Sequence, residues 1–292
     1  MNKVALRSII GITISIFLIV LISSLNEPYS IKWKGYSTYL MAGLIALALN
    51  WIAFIPSYIK QTEHYYDIVG SLSYLSVIIF LCFEGNVLGN PRAMLIAAMG
   101  AIWTIRLGSF LFMRIKKSGA DSRFDEIKTN FLRFWVAWTL QALWVFLTLA
   151  AALVVLTSNK VVDLGVYAII GLVIWVVGFG IEVIADRQKT QFKEDISNKG
   201  KFISQGLWAY SRHPNYFGEI MLWTGVFVIS IPVLQGWQWI SIISPIFIFL
   251  LLKYVSGVNM LEKIADKRWG GQADYEAYKK RTSELILLPS RG

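Results

Sequence analysis

Apolar residues in this chain come in long blocks separated by short polar stretches. Eight blocks can be cut out, at about 8–25, 38–59, 68–83, 94–114, 131–156, 165–185, 217–231 and 239–255. At 1.5 Å per residue each covers ~30 Å of hydrocarbon as a helix, given some tilt or local thinning. The third and seventh are the shortest and are expected to be re-entrant or buried among neighbours. The pattern predicts an all-α polytopic membrane bundle of about eight spans in a single domain: an additional N-terminal span and loop (1–37), the main bundle (38–255) and a short amphipathic cytosolic tail (256–292). In the tail, Gly270-Gly271 is a break, and Tyr275 and Tyr278 fall on one helical face. The tail is expected against the mouth of the bundle. The first block follows Lys3 and Arg7, but it is longer than a signal-peptide core and has no small-x-small site after it, so a retained helix is expected.

Composition supports the membrane reading: 56% of the 292 residues are hydrophobic, 16% are charged, and mean hydropathy is +0.56. The net charge of +10 then bears on topology. With the N-terminus inside, the segments 1–7, 60–67, 114–133, 186–212 and 253–292 hold 23 of the 28 Lys and Arg. The outer loops hold Lys32, Lys34, Arg92 and Lys160, and Arg106 lies within the fourth block. Lysine and arginine are retained on the cytoplasmic side, so both termini are expected there, and the basic excess calls for no nucleic-acid partner. The lone Cys82 excludes an intrachain disulfide. Two histidines, with no His-Glu-x-x-His, P-loop or Gly-x-Gly-x-x-Gly, predict no metal centre and no soluble nucleotide domain.

The densest run of hydrogen-bonding side chains is 207–219, Leu-Trp-Ala-Tyr-Ser-Arg-His-Pro-Asn-Tyr-Phe-Gly-Glu. It stands at the edge of an apolar block, where polar groups are costly and mark function. Pro214 biases His213 away from helix and predicts a turn opening a helix at this point. Arg212, His213, Asn215, Tyr216 and Glu219 are therefore candidate ligand-binding residues, weighed against an interfacial anchor in which Arg and Tyr only reach for headgroups. A second group lies at the exit of the sixth block. Glu182 and Asp186 are four apart on one helix face and are followed by Arg187, Gln188 and Lys193, a mixed-charge mouth suited to a ligand carrying phosphates and hydroxyls. Glu262 follows the last block and is either a solvated tail residue or part of that mouth. A fourth group is Gln61, Glu63, His64, Tyr66 and Asp67 with Trp103 and Arg106, a structural ion-pair region or the place of a catalytic acid.

Glu-Val-Ile-Ala-Asp-Arg-Gln-Lys-x-x-Phe-Lys (182–193), Gly-Leu-Trp-x-Tyr-Ser-Arg-His-Pro-Asn-Tyr-Phe-Gly-Glu (206–219) and the tail residues Glu262, Tyr278 and Arg281-Thr282-Ser283 resemble the steroid 5-alpha-reductase superfamily. Trp103-x-x-Arg106-Leu107 and Asp121-x-Arg123-Phe124 fit its bacterial branch described as a domain of unknown function. The resemblance covers roughly residues 66–289 and makes the first span an addition to a seven-span bundle. It implies a reductase of the bacterial inner membrane that uses NADPH and passes hydride to the β carbon of a lipophilic enone, with an acid polarising the carbonyl oxygen. It places Asp186, Lys193 and Asn215 on cofactor positions and Glu262 where the steroid reductases have a tyrosine. For their catalytic glutamate and tyrosine it offers Asp67 and Trp103. An indole N–H cannot act as a proton-donating acid, so Tyr66 is the nearest phenol to take that part. Two other readings stand beside it. An isoprenylcysteine-type methyltransferase shares the Arg-His-Pro-x-Tyr turn and would bind S-adenosylmethionine, whereas a non-catalytic lipid-binding bundle would bind no nucleotide.

Overall fold

The computed structural model describes residues 3–85, 87–118 and 124–289. Asp121 and Arg123, two residues of the resemblance, lie outside them. Among the described residues, eight helical stretches are long and apolar enough to cross a membrane, and strand is confined to one hairpin. The chain is an integral membrane protein with the all-α bundle that its hydrophobic blocks predict. It divides into two compact units, Met1–Gly165 with Ser230–Ile243, and Val166–Ile229 with Ser244–Gly292.

The first unit contains α1 (Lys3–Asn26), the hairpin β1 (Lys32–Trp33) and β2 (Tyr36–Ser37), α2 (Thr38–Ile59), α3 (Tyr66–Glu84), α4 (Pro91–Ser118) and α5 (Phe131–Thr157). Lys34 and Gly35 both have positive φ, 49° and 88°, which closes the hairpin with the turn that matches strand twist. α5 is apolar all round, and 89% of its most apolar window is buried, as a central helix requires. α1 to α4 pack on it. Polar groups of its neighbours hydrogen-bond to it. The Tyr39 hydroxyl donates to the Ala150 carbonyl (3.2 Å), Trp51 Nε1 to Thr139 Oγ1 (3.0 Å) and the Tyr66 hydroxyl to the Ala137 carbonyl (3.0 Å). One end is filled by Phe54, Phe124, Phe134 and Trp138, with Tyr66 packed against them. Beside this cluster the buried Glu63 pairs with Lys128 at 2.9 Å, which holds the Lys128 ammonium above its ordinary pKa. Arg92, expected in an outer loop, is 1% exposed. It donates to the carbonyls of Val162 (3.2 Å) and Asp163 (2.5 Å).

The second unit contains α6 (Val166–Glu194), α7 (Pro214–Ser230), α8 (Ile243–Leu250), α9 (Val258–Trp269) and α10 (Ala273–Arg281). Glycines set the approach of α6 to α7. A Cβ on Gly218 would lie 2.5 Å from the Gly178 carbonyl oxygen, and one on Gly225 2.5 Å from that of Gly171. Two pairs seven residues apart on each helix thus let backbone meet backbone.

Two expectations need correction. The sixth helix does not stop at 185 but continues to Glu194, because hydropathy ends at the membrane edge while Asp186 to Glu194 remain adequate helix formers. The last block, 239–255, is not one α-helix. A 3-10 segment (Gly236–Ile242) leads into α8, and a π-helical turn (Leu251–Val255) follows it. Pro245 fits only the first turn of an α-helix, so it fixes where α8 begins.

Candidate functional site

The second unit holds most of the polar chemistry. Glu182, Asp186, Lys189 and Lys193 recur at the spacing of one face of α6, over ~16 Å of helix. Glu182 and Asp186 are buried, Lys189 is half-buried with its ammonium 4.7 Å from the Trp208 ring centre, and Lys193 is exposed. The face therefore grades from buried acid to exposed base. Asn215, in the first turn of α7, donates its amide to Asp186 Oδ1 at 3.2 Å. Glu219, one turn further on, is also buried, and the close α6/α7 seam at Gly218 lies against the backbone of Glu182. Gly206, at φ +63°, turns the chain under Gln188, whose Oε1 accepts from the Leu207 amide at 3.0 Å.

Residues 211–213 are held by the tail. Glu262 on α9 accepts from Arg212 Nε (3.2 Å) and lies 3.0 Å from its Nη2, a two-pronged pair, and its Oε1 is 2.9 Å from His213 Nε2. Arg212 Nη1 also donates to the carbonyls of Lys279 (3.0 Å) and Thr282 (3.4 Å). The Arg212 amide donates to the Ser283 carbonyl, Ser211 Oγ to the Leu285 carbonyl and the Tyr278 hydroxyl to the Trp208 carbonyl. Burial pushes the Tyr278 phenol above its ordinary pKa and keeps it a donor. The tail is thus packed into the unit, with both of its paired tyrosines buried.

His213 is 5% exposed and stacks on Tyr216 with ring centres 5.7 Å apart. Burial lowers its pKa, and Lys189 and Arg212 add to that, against the hydrogen bond and charge of Glu262. Burial disfavours the charged ring and the Glu262 carboxylate can only accept, so Nε2 is the donating side, and Nδ1 is buried with no hydrogen bond among the described residues.

The reacting-end residues expected from the sequence belong to the first unit. Asp67 is half-buried in the first turn of α3, where a carboxylate suits the helix N-terminus. The Tyr66 hydroxyl is engaged by the Ala137 carbonyl. Trp103 is buried and meets the edge of the Tyr74 ring, with centroids 5.2 Å apart. Tyr74 sits mid-block among apolar residues, where no sequence pattern singles it out, yet it is a phenol beside the indole. Arg106 lies over the Phe110 ring at 5.5 Å. Among the described residues no group of His, Cys, Asp and Glu is arranged to hold a metal.

Residues 53–282 match the family described as Protein of unknown function (DUF1295). The chain belongs to DUF1295. The matched range takes in the α6 face, the 207–219 motif and Glu262, and it begins within α2, so α1 and the hairpin fall outside it. No curated protein and no solved structure matches the chain.

Proposed function

We propose that this DUF1295 protein is a membrane-embedded NADPH-dependent reductase of a C=C bond in a lipophilic enone, steroid- or isoprenoid-like, allied to the steroid 5-alpha-reductase superfamily. The observation that carries the reading is the charge order along α6, from the buried Glu182 and Asp186 to the half-buried Lys189 and exposed Lys193. An elongated ligand with phosphates at one end and hydroxyl and amide groups at the other has that order. The residues fit such a ligand, because the buried Nδ1 of His213 lacks a donor and the Asp186–Asn215 pair offers both acceptor and donor. When bound, the cofactor supplies hydride.

In this reading the chain's own residues divide the work. Lys189 and Lys193 hold phosphate oxygens as point charges. Asp186 accepts from hydroxyls, with Asn215 fixing its orientation, and His213 Nδ1 accepts one further N–H or O–H. Glu182, Tyr216 and Glu219 complete the polar wall. Arg212, already bonded to Glu262 and two carbonyls, positions His213 and is not a free phosphate ligand. The proton that balances hydride addition is assigned to Asp67 on the resemblance alone. The substrate enters from the bilayer. The basic bias of the loops supports an orientation with both termini, and the lysine end of α6, on the cytoplasmic side of a bacterial inner membrane. Ser158 is buried, so a single cysteine at its exposed neighbour Asn159 is then labelled from outside, and one at Ser197 only after permeabilisation, with Cys82 replaced.

Thermal stability of the detergent-solubilised protein with NADPH, NADH or S-adenosylmethionine tests the reading, since a ligand of the folded state raises stability by mass action. NADPH is expected to raise it, and no response to either nicotinamide nucleotide sinks the proposal. One observation favours a methyltransferase as second reading: Glu262 neutralises the one arginine of the motif, and S-adenosylmethionine has no phosphate to be held. Stabilisation by S-adenosylmethionine alone would decide for it.

A further inference from the structure

An open groove of about 650 Å³ lies in the first unit between α1, α5 and the 124–130 segment, far in sequence from the α6 face. That is within the ~300–1,000 Å³ usual for small-molecule sites. Its polar lining is Arg7, Ser8 and Arg133, and its apolar lining includes Val4, Val136 and Leu140. Among the described residues no acidic side chain lines it. Arg7 has no ion pair among the described residues, and the nearest carboxylate to Arg133 is the exposed Glu126 at 3.9 Å.

The register of the two helices orders this lining. A Cβ on Gly11 would touch Val136 Cγ2 at 2.9 Å, so α1 and α5 run together with Arg7 one turn before Gly11 and Arg133 one turn before Val136. Both guanidiniums stand at the start of their spans, at the membrane boundary, and Leu140 lies two turns deeper. Cations at the mouth and apolar residues below them match a molecule with an anionic head and a hydrocarbon chain. A soluble anion has no use for the apolar floor, and a zwitterionic lipid brings a cation of its own beside the two arginines.

We infer that this groove is a binding site for an anionic phospholipid, its phosphodiester between Arg7 and Arg133 and one acyl chain along Val136 and Leu140. The site is independent of the reductase reading, and the lipid is a structural ligand of the first unit. Two-pronged guanidinium bonds to phosphate oxygens supply selectivity for the head.

The test uses the full chain in neutral detergent, with native mass spectrometry and thermal unfolding against phosphatidylglycerol, phosphatidylcholine of the same chains, and soluble glycerol phosphate. Retained phosphatidylglycerol with a raised melting temperature is expected, with little of either from the other two. Each basic residue beside an anionic head contributes about fivefold in affinity, so Arg7→Gln and Arg133→Gln each lose about that factor and the double variant about 25-fold. Lys32→Gln, in the hairpin, loses nothing. Leu140→Trp fills the floor with both arginines intact and also weakens lipid retention, which decides the matter if the double variant fails to fold. Equal binding of the two lipids, equal response to glycerol phosphate, or full retention in either the double variant or Leu140→Trp overturns the inference.

Discussion

The two units bury polar groups in opposite ways. In the first, hydroxyl, indole and amide groups of α2, α3 and α5 are spent on neighbouring helices, as Tyr39, Trp51 and Tyr66 do on α5, and the effect is to fasten an apolar central helix. In the second, α6 and α7 need no such fasteners where glycine backbones meet. The polar residues nearby are carboxylates, an amide and an imidazole, which are costly to bury. The contrast teaches that burial of polarity by itself says little. Several ionisable groups gathered on α6, α7 and the tail are what make the second unit the candidate site, where the first unit's buried Glu63 and Arg92 are each spent on a structural partner.

The largest expected effect comes from closing the glycine seam. Gly218→Val places side-chain atoms where the Gly178 carbonyl (2.5 Å) and the Glu182 amide (2.7 Å) already stand, and neither can yield as a flexible side chain would. A loss of about 3 kcal/mol or outright misfolding is expected. Gly180→Ala on the same helix, where a Cβ meets nothing within 4 Å, is expected to be neutral or slightly stabilising. Thermal unfolding in detergent compares them. Equal behaviour of the two variants would show that the seam does not hold the unit together.

That seam marks a limit of what the sequence discloses. Hydropathy located the spans because apolar length is a one-dimensional property, and Glu182 with Asp186 were legible as a pair because four residues make one helix turn. Gly171 and Gly178, and Gly218 and Gly225, stand in plain view seven apart, but only pairing α6 with α7 gives the spacing a meaning. The clamp of Glu262 on Arg212 and His213 joins residues some fifty positions apart, and no local pattern carries that information. Helix α6 outran its apolar block because the solvent boundary and the end of a hydrogen-bonded helix are different things. Pro245 did signal a helix start inside the last block, but the block's continuous apolarity masked it.

Cutting the clamp is expected to come next in size. Glu262→Ala leaves Arg212, only 14% exposed in its side chain, without its carboxylate and should cost about 2–3 kcal/mol, less than a fully buried pair because both side chains reach some solvent. Limited proteolysis should then cut between α9 and α10, since Arg212 is also what grips the Lys279 and Thr282 carbonyls. The pair Arg212→Met with Glu262→Leu should be less damaged than the sum of the single changes. Simple additivity would mean that the two residues act separately.

Asn215→Ala separates chemistry from packing. It removes the amide that orients Asp186 while leaving the glycine seam and the clamp intact, so the fold should persist and NADPH affinity fall by about 1–2 kcal/mol. Isothermal titration or thermal shift measures it. Affinity unchanged in a folded variant would return Asp186 and Asn215 to the role that Tyr39 and Trp51 play in the first unit.

The smallest effect is a pH dependence that belongs to the second unit alone. Burial holds the His213 imidazole below the ordinary histidine range. The unfolded chain therefore takes up a proton on His213 near pH 6.5, where the folded chain still holds the ring neutral. Stability from this group is fully present above that pH and declines as pH falls toward the depressed folded value, with a slope of at most about 1.4 kcal/mol per pH unit. Below that value the loss is complete and the slope vanishes. The groups facing the ring set how far the decline extends: Lys189 and Arg212 keep the proton off, and Glu262 draws it on. His213→Gln lacks a titrating ring, so the difference between wild type and variant isolates the histidine from carboxylates that titrate lower. Melting temperatures from pH 8 to 5 should converge as pH falls. A wild type that gains stability relative to His213→Gln on acidification would mean that Glu262 outweighs burial and that the ring is charged in the folded protein.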